Sequence, residues 1–562
     1  MFSYFAHRKS CAQKQQERKS KLESVPAVYS APATNDDRRI LSLSLAELVE
    51  ECSMNRTSPN AVLQAYGKRC LQAQAATNCL SDIMFDEAER TVTSGKLLSG
   101  VPVSLKDCVD IVGHDTLLGY SCNVAKPRQS SASIVHILQD AGALLYVKTS
   151  APTGLLSFET ESDVLGVTTN PYNPKFSPGG STGGGGALLA YQGSMIEVGT
   201  DLAGSVRFPA ANCGVYSLKG SIGRFPAYGC TPCLPGLQGV VTVTAPMAQN
   251  LADLEEFWKR VMEMKPWDYD STCLPMPWRP VNAQFSEVKP RWGVIWDDGI
   301  VTPTPACRRA LVDTVDALRR QGFDVVEFES PGIPEGTRIG FGLIACGASP
   351  IFNSLRTSET LNSALRSFGI LVSLPRWVKW LYALLLRLFS RPLGRNDTWA
   401  TLAENCYKRS PVGEHELLVQ LEDYKMAWHT ALQKQDVDFV LTVPHPSPPV
   451  PLGGTGVVSL IASSYAFIFS LLDAVAGVVP VTFVDKSLDA LPADFRRSSA
   501  YMNMSDIGRA VHSVYDARAM HGLPLGVQIV GPRLHEEKVL AGMKIIDNAL
   551  RAAGRGFVPK QF

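Results

Sequence analysis

Long hydrophobic runs are scarce in this chain of 562 residues. The first 24 residues are rich in basic side chains and contain no apolar stretch long enough for a secretory signal peptide. The longest uncharged apolar run, 456–472, is of marginal length for crossing a bilayer and carries several serines. We therefore expect a buried core helix at 456–472, no membrane-spanning helix and no secretion.

The sequence also lacks a charge imbalance and a paired cysteine pattern. Its formal net charge is +1, which argues against a nucleic-acid partner. The 13 cysteines are scattered and odd in number, which favours a reducing, intracellular compartment. Cys230 and Cys233 form a C-x-x-C pair among prolines, without the second ligand pair that a zinc site needs. We expect no metal and no cofactor.

Helix and strand patterns alternate along most of the chain. The segments 131–150, 307–330 and 423–444 each combine a helix pattern with an apolar strand, which is typical of an α/β protein with a parallel or mixed sheet. No repeat or low-complexity break divides 41–555, which predicts one large domain. Residues 1–40 are interpreted as a basic N-terminal tail or exposed helix with a polar linker.

The segment 374–391 has an amphipathic helix pattern. Pro375 suits the start of a helix, and Pro392 and Gly394 suit its end. On a helical wheel the cations form one stripe, large apolar residues lie opposite, and two tryptophans lie at the flanks. The cations are Arg376, Lys379, Arg387 and Arg391, the apolar residues are Leu381, Leu384, Leu385, Leu388 and Phe389, and the tryptophans are Trp377 and Trp380. Such a helix either docks on a membrane surface or packs on the core of its own protein with its cations in water.

The stretch 179–214 concentrates glycine around two serines, Ser181 and Ser205, and contains no histidine. The pattern G-x-S-x-G occurs at Ser181, but the proline-rich segment 170–178 before it is no strand, which a nucleophile elbow requires. Six histidines from His415 onward keep an α/β-hydrolase formally open. A phosphate-binding loop is disfavoured because its lysine is absent.

Ser205 lies in a second glycine-containing turn, and successive backbone N–H groups of such a turn can form an oxyanion hole. The candidate donors are Leu202, Ala203, Gly204 and Ser205. A serine nucleophile needs a base, and a lysine serves when burial keeps its amine neutral. Lys106 fits this requirement because it ends an apolar strand pattern that begins at Val101.

Taken together, these blocks resemble the amidase signature family of serine hydrolases. The similar segments are 100–107, 177–187, 198–224, 473–482 and 522–532. The resemblance covers roughly 41–555 and implies an α/β fold with a large mixed central β-sheet flanked by many helices in a single large domain.

The resemblance also implies a Ser–cis-Ser–Lys triad. By motif position, Ser205 is the nucleophile, Ser181 the bridging serine and Lys106 the base. Asp201 and Arg207 match positions that brace the loop, so we expect structural roles for them. The implied activity is hydrolysis of a carboxylic amide through an acyl-enzyme.

Within the family, the chain is similar to the branch that hydrolyses long-chain fatty-acid amides. The segment 374–389 falls where that branch has a hydrophobic membrane cap, and Leu155 and Leu156 match positions of its acyl channel. Leu155 and Thr200 are expected to contact substrate. This implies a lipid amide substrate and a peripheral, membrane-associated intracellular enzyme, with a homodimer allowed.

Three alternatives stay open. An acetamidase-type enzyme would act on small soluble amides in the cytoplasm, with 374–391 merely on the surface. An inactive scaffold is disfavoured because all three triad positions are filled. A glutamine-dependent transamidation subunit would need dedicated partner subunits.

Overall fold

A mixed β-sheet runs through the protein, for which a computed structural model describes residues 2–91, 93, 95–281, 289–390 and 395–562. The thirteen strands in these residues are Leu80–Ile83 (β1), Pro102–Lys106 (β2), Leu144–Thr149 (β3), Glu161–Ser162 (β4), Gly166–Val167 (β5), Ile196–Asp201 (β6), Tyr216–Lys219 (β7), Val243–Ala248 (β8), Trp292–Val294 (β9), Val325–Glu327 (β10), Phe439–Thr442 (β11), Val475–Phe483 (β12) and Pro524–Gly531 (β13). The order in the sheet is β1-β3-β2-β6-β8-β7-β12-β13-β11-β9-β10, and β4 pairs with β5 separately.

Helices surround this sheet, as predicted for an α/β protein. In the described ranges they are Phe2–Glu23 (α1), Asn35–Ser42 (α2), Leu45–Ser53 (α3), Pro59–Thr77 (α4), Phe85–Arg90 (α5), Ser133–Asp140 (α6), Gly183–Ala190 (α7), Arg207–Cys213 (α8), Leu251–Glu263 (α9), Pro305–Arg320 (α10), Ile333–Gly347 (α11), Ser349–Asn353 (α12), Ser363–Ser373 (α13), Arg376–Phe389 (α14), Asp397–Asn405 (α15), Pro411–Lys434 (α16), Ser464–Leu471 (α17), Ser499–Asn503 (α18), Asp506–Ser513 (α19) and Glu536–Ala552 (α20). The three predicted helix–strand pairs are α6 with β3, α10 with β10 and α16 with β11.

Three neighbouring parallel strands position the residues around Lys106. Strand β2 lies between β3 and β6 and is parallel to both. All of β2 is buried, as expected where helices cover both faces of a parallel region. Lys106 is its last residue, and β6 runs in the same direction into the turn that carries Ser205. The lysine and the serine turn therefore lie at the same edge of the sheet.

Helix α1, within the segment 1–40, packs on the rest of the protein with one side and leaves most of its side chains exposed or half-buried. Two of its cations contact other elements through that side. The Lys14 ammonium is buried and lies 3.4 Å from a carboxylate oxygen of Asp115, and Arg18 donates at 2.8 Å to the carbonyl of Leu80. Helix α2 also begins inside the segment that was interpreted as a linker.

The apolar run at 456–472 forms short 3₁₀ turns and then helix α17, whose residues are all buried. The prediction of a buried core helix is confirmed there. Among the described helices, none is by itself both long and apolar enough to span a membrane. Helices α13 and α14 pass that test only as a pair, and they are bent by 113° at the break between them.

Helix α14 has its predicted start after Pro375, but its cation stripe is partly turned inward. Lys379 is fully buried and donates to the carbonyls of Val372 and Cys406, at 3.0 and 2.7 Å. The alternative of a helix packed on its own protein with its cations in water does not hold for Lys379, because the two carbonyl groups accept its hydrogen bonds inside the protein.

Two further cations of the stripe have partners within the protein. Arg387 forms a bidentate pair with Glu404 at 2.7 and 2.8 Å, and the Arg376 guanidinium lies 4.5 Å from the ring centroid of Tyr407. Arg391, with Pro392 and Gly394, lies outside the described residues.

The apolar side of α14 faces outward. Trp377 is 69% exposed and Phe389 is 74% exposed, and the side chains between them that share this exposure are Trp380, Leu381, Tyr382, Leu385 and Leu388. We call this set the cap face. Contiguous apolar surface of this kind marks an interaction site.

Replacing Lys379 with methionine should destabilise the packing of α13, α14 and α15, because the carbonyl groups of Val372 and Cys406 lose their donor. We expect a loss of about 1–3 kcal/mol in the free energy of unfolding, measured by urea titration, with faster hydrogen exchange across 363–405. The matched control is Arg366→Met, at an exposed position on α13, which should stay within about 0.5 kcal/mol of the unchanged protein. Equal losses of unfolding free energy in the two variants would contradict the bridging role of Lys379.

Candidate active site

Lys106 is a buried lysine whose amine contacts a serine. Its side chain has no exposed surface, and Nζ donates to Ser181 Oγ at 2.7 Å and to Thr200 Oγ1 at 3.1 Å. Burial lowers the pKa of the Lys106 amine from its ordinary value, and the nearby Cys108 opposes this shift. The site therefore favours a neutral amine, which is the form able to accept a proton.

Ser181 follows a cis peptide bond from Gly180, as the resemblance implied. Gly180 packs so closely against the carbonyl oxygen of Ser157 that a Cβ at this position would overlap it. The next residue, Thr182, donates its backbone N–H to the carbonyl of Ser205 at 3.1 Å. The two serine-bearing segments are therefore hydrogen-bonded to each other beside Lys106.

The turn that carries Ser205 is organised by Asp201. The Asp201 carboxylate accepts the N–H of Gly204 at 2.8 Å and that of Val206 at 3.2 Å. Gly204 has φ +116 and lies against the ring of Phe208, so a side chain there would be strained.

This geometry differs from the expected oxyanion hole at one of its four donors. The Gly204 N–H is already engaged with Asp201. Within the described part of the chain, no acceptor is hydrogen-bonded to the N–H groups of Leu202, Ala203 and Ser205. These three remain available for an oxygen that carries negative charge.

Arg207 holds Asp201 and ties the turn to distant elements. Both side chains are fully buried, and their closest nitrogen–oxygen distance is 2.9 Å. Arg207 also donates at 2.7 Å to the carbonyl of Ala466 in α17 and to Gln528 in β13. Burial alone would raise the pKa of Asp201, but the charge and hydrogen bonds of Arg207 lower it to about 2. Asp201 therefore stays ionised, and both residues have the contacts expected of structural roles.

Ser205 lines a small apolar cavity of about 30 Å³, here called the serine cavity. Leu155 and Leu156 form part of its wall. The hydroxyl of Thr200, which is predicted to contact substrate, faces Lys106, and Thr200 is not part of this wall. Thr200 is the penultimate residue of β6, which places it beside the lysine.

A second apolar cavity of about 350 Å³ adjoins the serine cavity and is called the cap cavity. Phe341, Phe368 and Leu460 line both cavities and separate them. Tyr382 lines the cap cavity and also belongs to the cap face. Two separate apolar cavities therefore lie between the exposed side of α14 and Ser205.

Two features of the site were missed by sequence reasoning. Phe341 and Phe368 come from helices distant in sequence, and no local pattern distinguishes them from core phenylalanines. The sequence does mark Glu197, because it is an acidic residue within an apolar strand pattern, two residues before Gly199. It lies buried on β6, beside Ser104 of β2.

Comparison with known proteins identifies the family of this chain. The model of the amidase family matches residues 61–540. The chain belongs to the amidase family. It is 33% identical over 527 residues to fatty-acid amide hydrolase 1 from Sus scrofa, a match that covers 92% of this chain and 88% of that protein. It is 31% identical over 521 residues to an acetamidase from Emericella nidulans, with 90% and 88% covered.

A solved structure of a fatty acid amide hydrolase has the same fold as this amidase. The TM-score is 0.82 at 26% identity, with 96% of this chain and 95% of that chain covered. The predicted fold, a single large domain on a mixed central sheet, is confirmed. The protein is an amide hydrolase.

Replacing Arg207 with methionine should destabilise this amidase strongly, because the Asp201 carboxylate would stay buried without its cation. We expect a loss of about 3–5 kcal/mol in the free energy of unfolding, measured by denaturant titration. The control is Lys19→Met, which breaks an ion pair with Glu23 in which the side chains are 66% and 64% exposed. Its loss should cost less than about 1 kcal/mol. Equal losses in both variants would argue against the bracing role.

Proposed function

We propose that this amidase hydrolyses long-chain fatty-acid amides at a membrane surface through a Ser205–Ser181–Lys106 triad. The observation that carries the proposal is the succession of two apolar cavities between the cap face and Ser205. A long acyl chain would occupy both cavities once Phe341 and Phe368 move apart, with its amide carbonyl at Ser205. The similarity to fatty-acid amide hydrolase 1 from Sus scrofa supports the same substrate class.

The proposed cycle begins with the neutral Lys106 amine. It takes the proton of Ser181, which takes the proton of Ser205, and the Ser205 oxygen attacks the carbonyl carbon. The resulting oxyanion accepts hydrogen bonds from the N–H groups of Leu202, Ala203 and Ser205. The proton then returns through Ser181 to the leaving nitrogen, and water hydrolyses the acyl-enzyme. The 2.7 Å hydrogen bond between Lys106 and Ser181 supports the first transfer.

Docking on a membrane follows from the orientation of α14. The cap face presents two tryptophans and several large aliphatic side chains outward, which is the composition of interfacial helices. Because the cap cavity is lined by Tyr382 of the same helix, a lipid amide would enter from the membrane without crossing water. The enzyme would then be a peripheral membrane protein.

A second candidate function is hydrolysis of small amides. The serine cavity, with about 30 Å³, is small enough to favour a short acyl group unless Phe341 and Phe368 move apart. The 31% identity to an acetamidase from Emericella nidulans also favours this candidate.

Replacing Ser205 with alanine should abolish amide hydrolysis and labelling by a fluorophosphonate, because the nucleophilic oxygen is gone. Lys106→Ala should reduce amide hydrolysis by more than ester hydrolysis, since an amine must be protonated to leave and an alcohol less so. Steady-state kinetics on a matched amide and ester pair measures the difference. Labelling of Ser205→Ala at the normal rate, or equal losses on both substrates in Lys106→Ala, would contradict the triad.

Comparison of acetamide with a long-chain fatty-acid amide, with and without phosphatidylcholine vesicles, should separate the two candidate functions. We expect the long-chain amide to have the higher kcat/KM and vesicles to raise it further.

The double variant Trp377→Glu/Trp380→Glu should lose vesicle binding in a flotation assay, because two exposed apolar anchors become charged. The matched control is Val412→Glu/Val419→Glu, at exposed positions on α16. Preference for acetamide, or unchanged flotation of the tryptophan variant, would overturn the lipid proposal.

A further inference from the structure

A buried carboxyl group lies beside the proposed base. Glu197 of β6 has no exposed surface, and its two carboxyl oxygens accept the hydroxyl groups of Ser104 at 2.5 Å and Thr149 at 2.6 Å. Helix α7 covers it so closely that a Cβ at Gly185 would overlap the carboxyl group. The carboxyl group is therefore fixed in position and shielded from water.

Both of its hydroxyl partners are neighbours of Lys106. Ser104 lies two residues before Lys106 on β2, and side chains two residues apart on a strand share a face of the sheet. Thr149 is the register partner of Lys106 on β3. The carboxyl group of Glu197 thus spans the strand that carries the lysine.

The hydrogen-bond partners of this carboxyl group within the described ranges are two hydroxyl groups and not cations. The positive charge of Lys106 favours its ionised form, against the effect of burial. Cys79 and Tyr146 also face it, and both are neutral because burial raises their pKa values. Around Lys106 itself, Cys108 and Cys233 are thiols whose pKa values burial raises, and Asp201 is already paired with Arg207.

We propose that Glu197 is a positioning residue that sets the proton affinity of Lys106: a protonated carboxyl group leaves the base free, and a carboxylate holds the ammonium form. No proton passes directly between the two groups, because Lys106 bonds to Ser181 and Thr200 while Glu197 bonds to Ser104 and Thr149. The inference rests on the proposed role of Lys106 as the base.

The charge of Glu197 has a consequence for the pH dependence. Burial raises the pKa of the Glu197 carboxyl group to about 7, and burial lowers the pKa of the Lys106 amine. The two groups then titrate as a pair. Once a carboxylate forms, it stabilises the ammonium of Lys106 and delays the release of the base. We therefore expect activity to rise with pH in two steps and not as a single-proton curve.

The test is the rate of fluorophosphonate labelling of the full chain from about pH 6 to about pH 10, compared with kcat/KM on an amide. Glu197→Gln keeps the shape but cannot ionise, so the rise should become a single step with its midpoint lower by on the order of one pH unit. The matched control is Asp298→Asn, which alters another buried carboxyl group with a pKa raised to about 7 and held by Ser464. Its profile should follow the unchanged protein.

A second variant keeps the inference testable if Glu197→Gln does not fold. Thr149→Val removes one donor to the carboxylate, which disfavours its ionised form, and should move the midpoint in the same direction by less. Profiles of Glu197→Gln or Thr149→Val that coincide with the unchanged protein would overturn the inference while leaving the triad intact. Absence of labelling in the unchanged protein, or normal labelling in Lys106→Ala, would instead overturn the proposed function.

Discussion

The hydrogen bond between the buried Lys106 amine and the Ser181 hydroxyl is the interaction on which the rest of the site depends. An ammonium group is costly to hold in the interior, so burial favours the neutral amine. The sheet makes this burial possible, because β2 is covered on both faces and flanked by β3 and β6. The amine of Lys106 therefore loses its proton at a lower pH than the amine of a surface lysine.

The serine turn depends on a second buried contact, which differs from the first in that both partners are charged. Asp201 and Arg207 neutralise each other, and their remaining hydrogen bonds reach the turn, α17 and β13. A buried pair of this kind gives more positional definition than net stability. The pair holds the N–H groups of the turn in fixed directions, and the Asp201 carboxylate itself accepts the N–H of Gly204.

Much of the fold could be predicted from the sequence, since helix–strand alternation and the glycine-rich serine block are local patterns. The approach of Lys106 to Ser181 could be expected only from the resemblance, because 75 residues separate them along the chain. The substrate contact of Thr200 stays a prediction, because a strand residue beside a turn can face either the cavity or the lysine. The burial of Lys379 could not be predicted, because a helical wheel gives the faces of a helix but not which face the protein covers.

The inward cations of α14 determine what kind of surface the cap can recognise. Lys379 is buried and Arg387 is paired with Glu404, so neither of these two cations is free for outside partners, whereas Arg376 is exposed. Contact through the cap face would gain most of its free energy from removing tryptophan and leucine from water. This apolar part of the contact responds weakly to ionic strength.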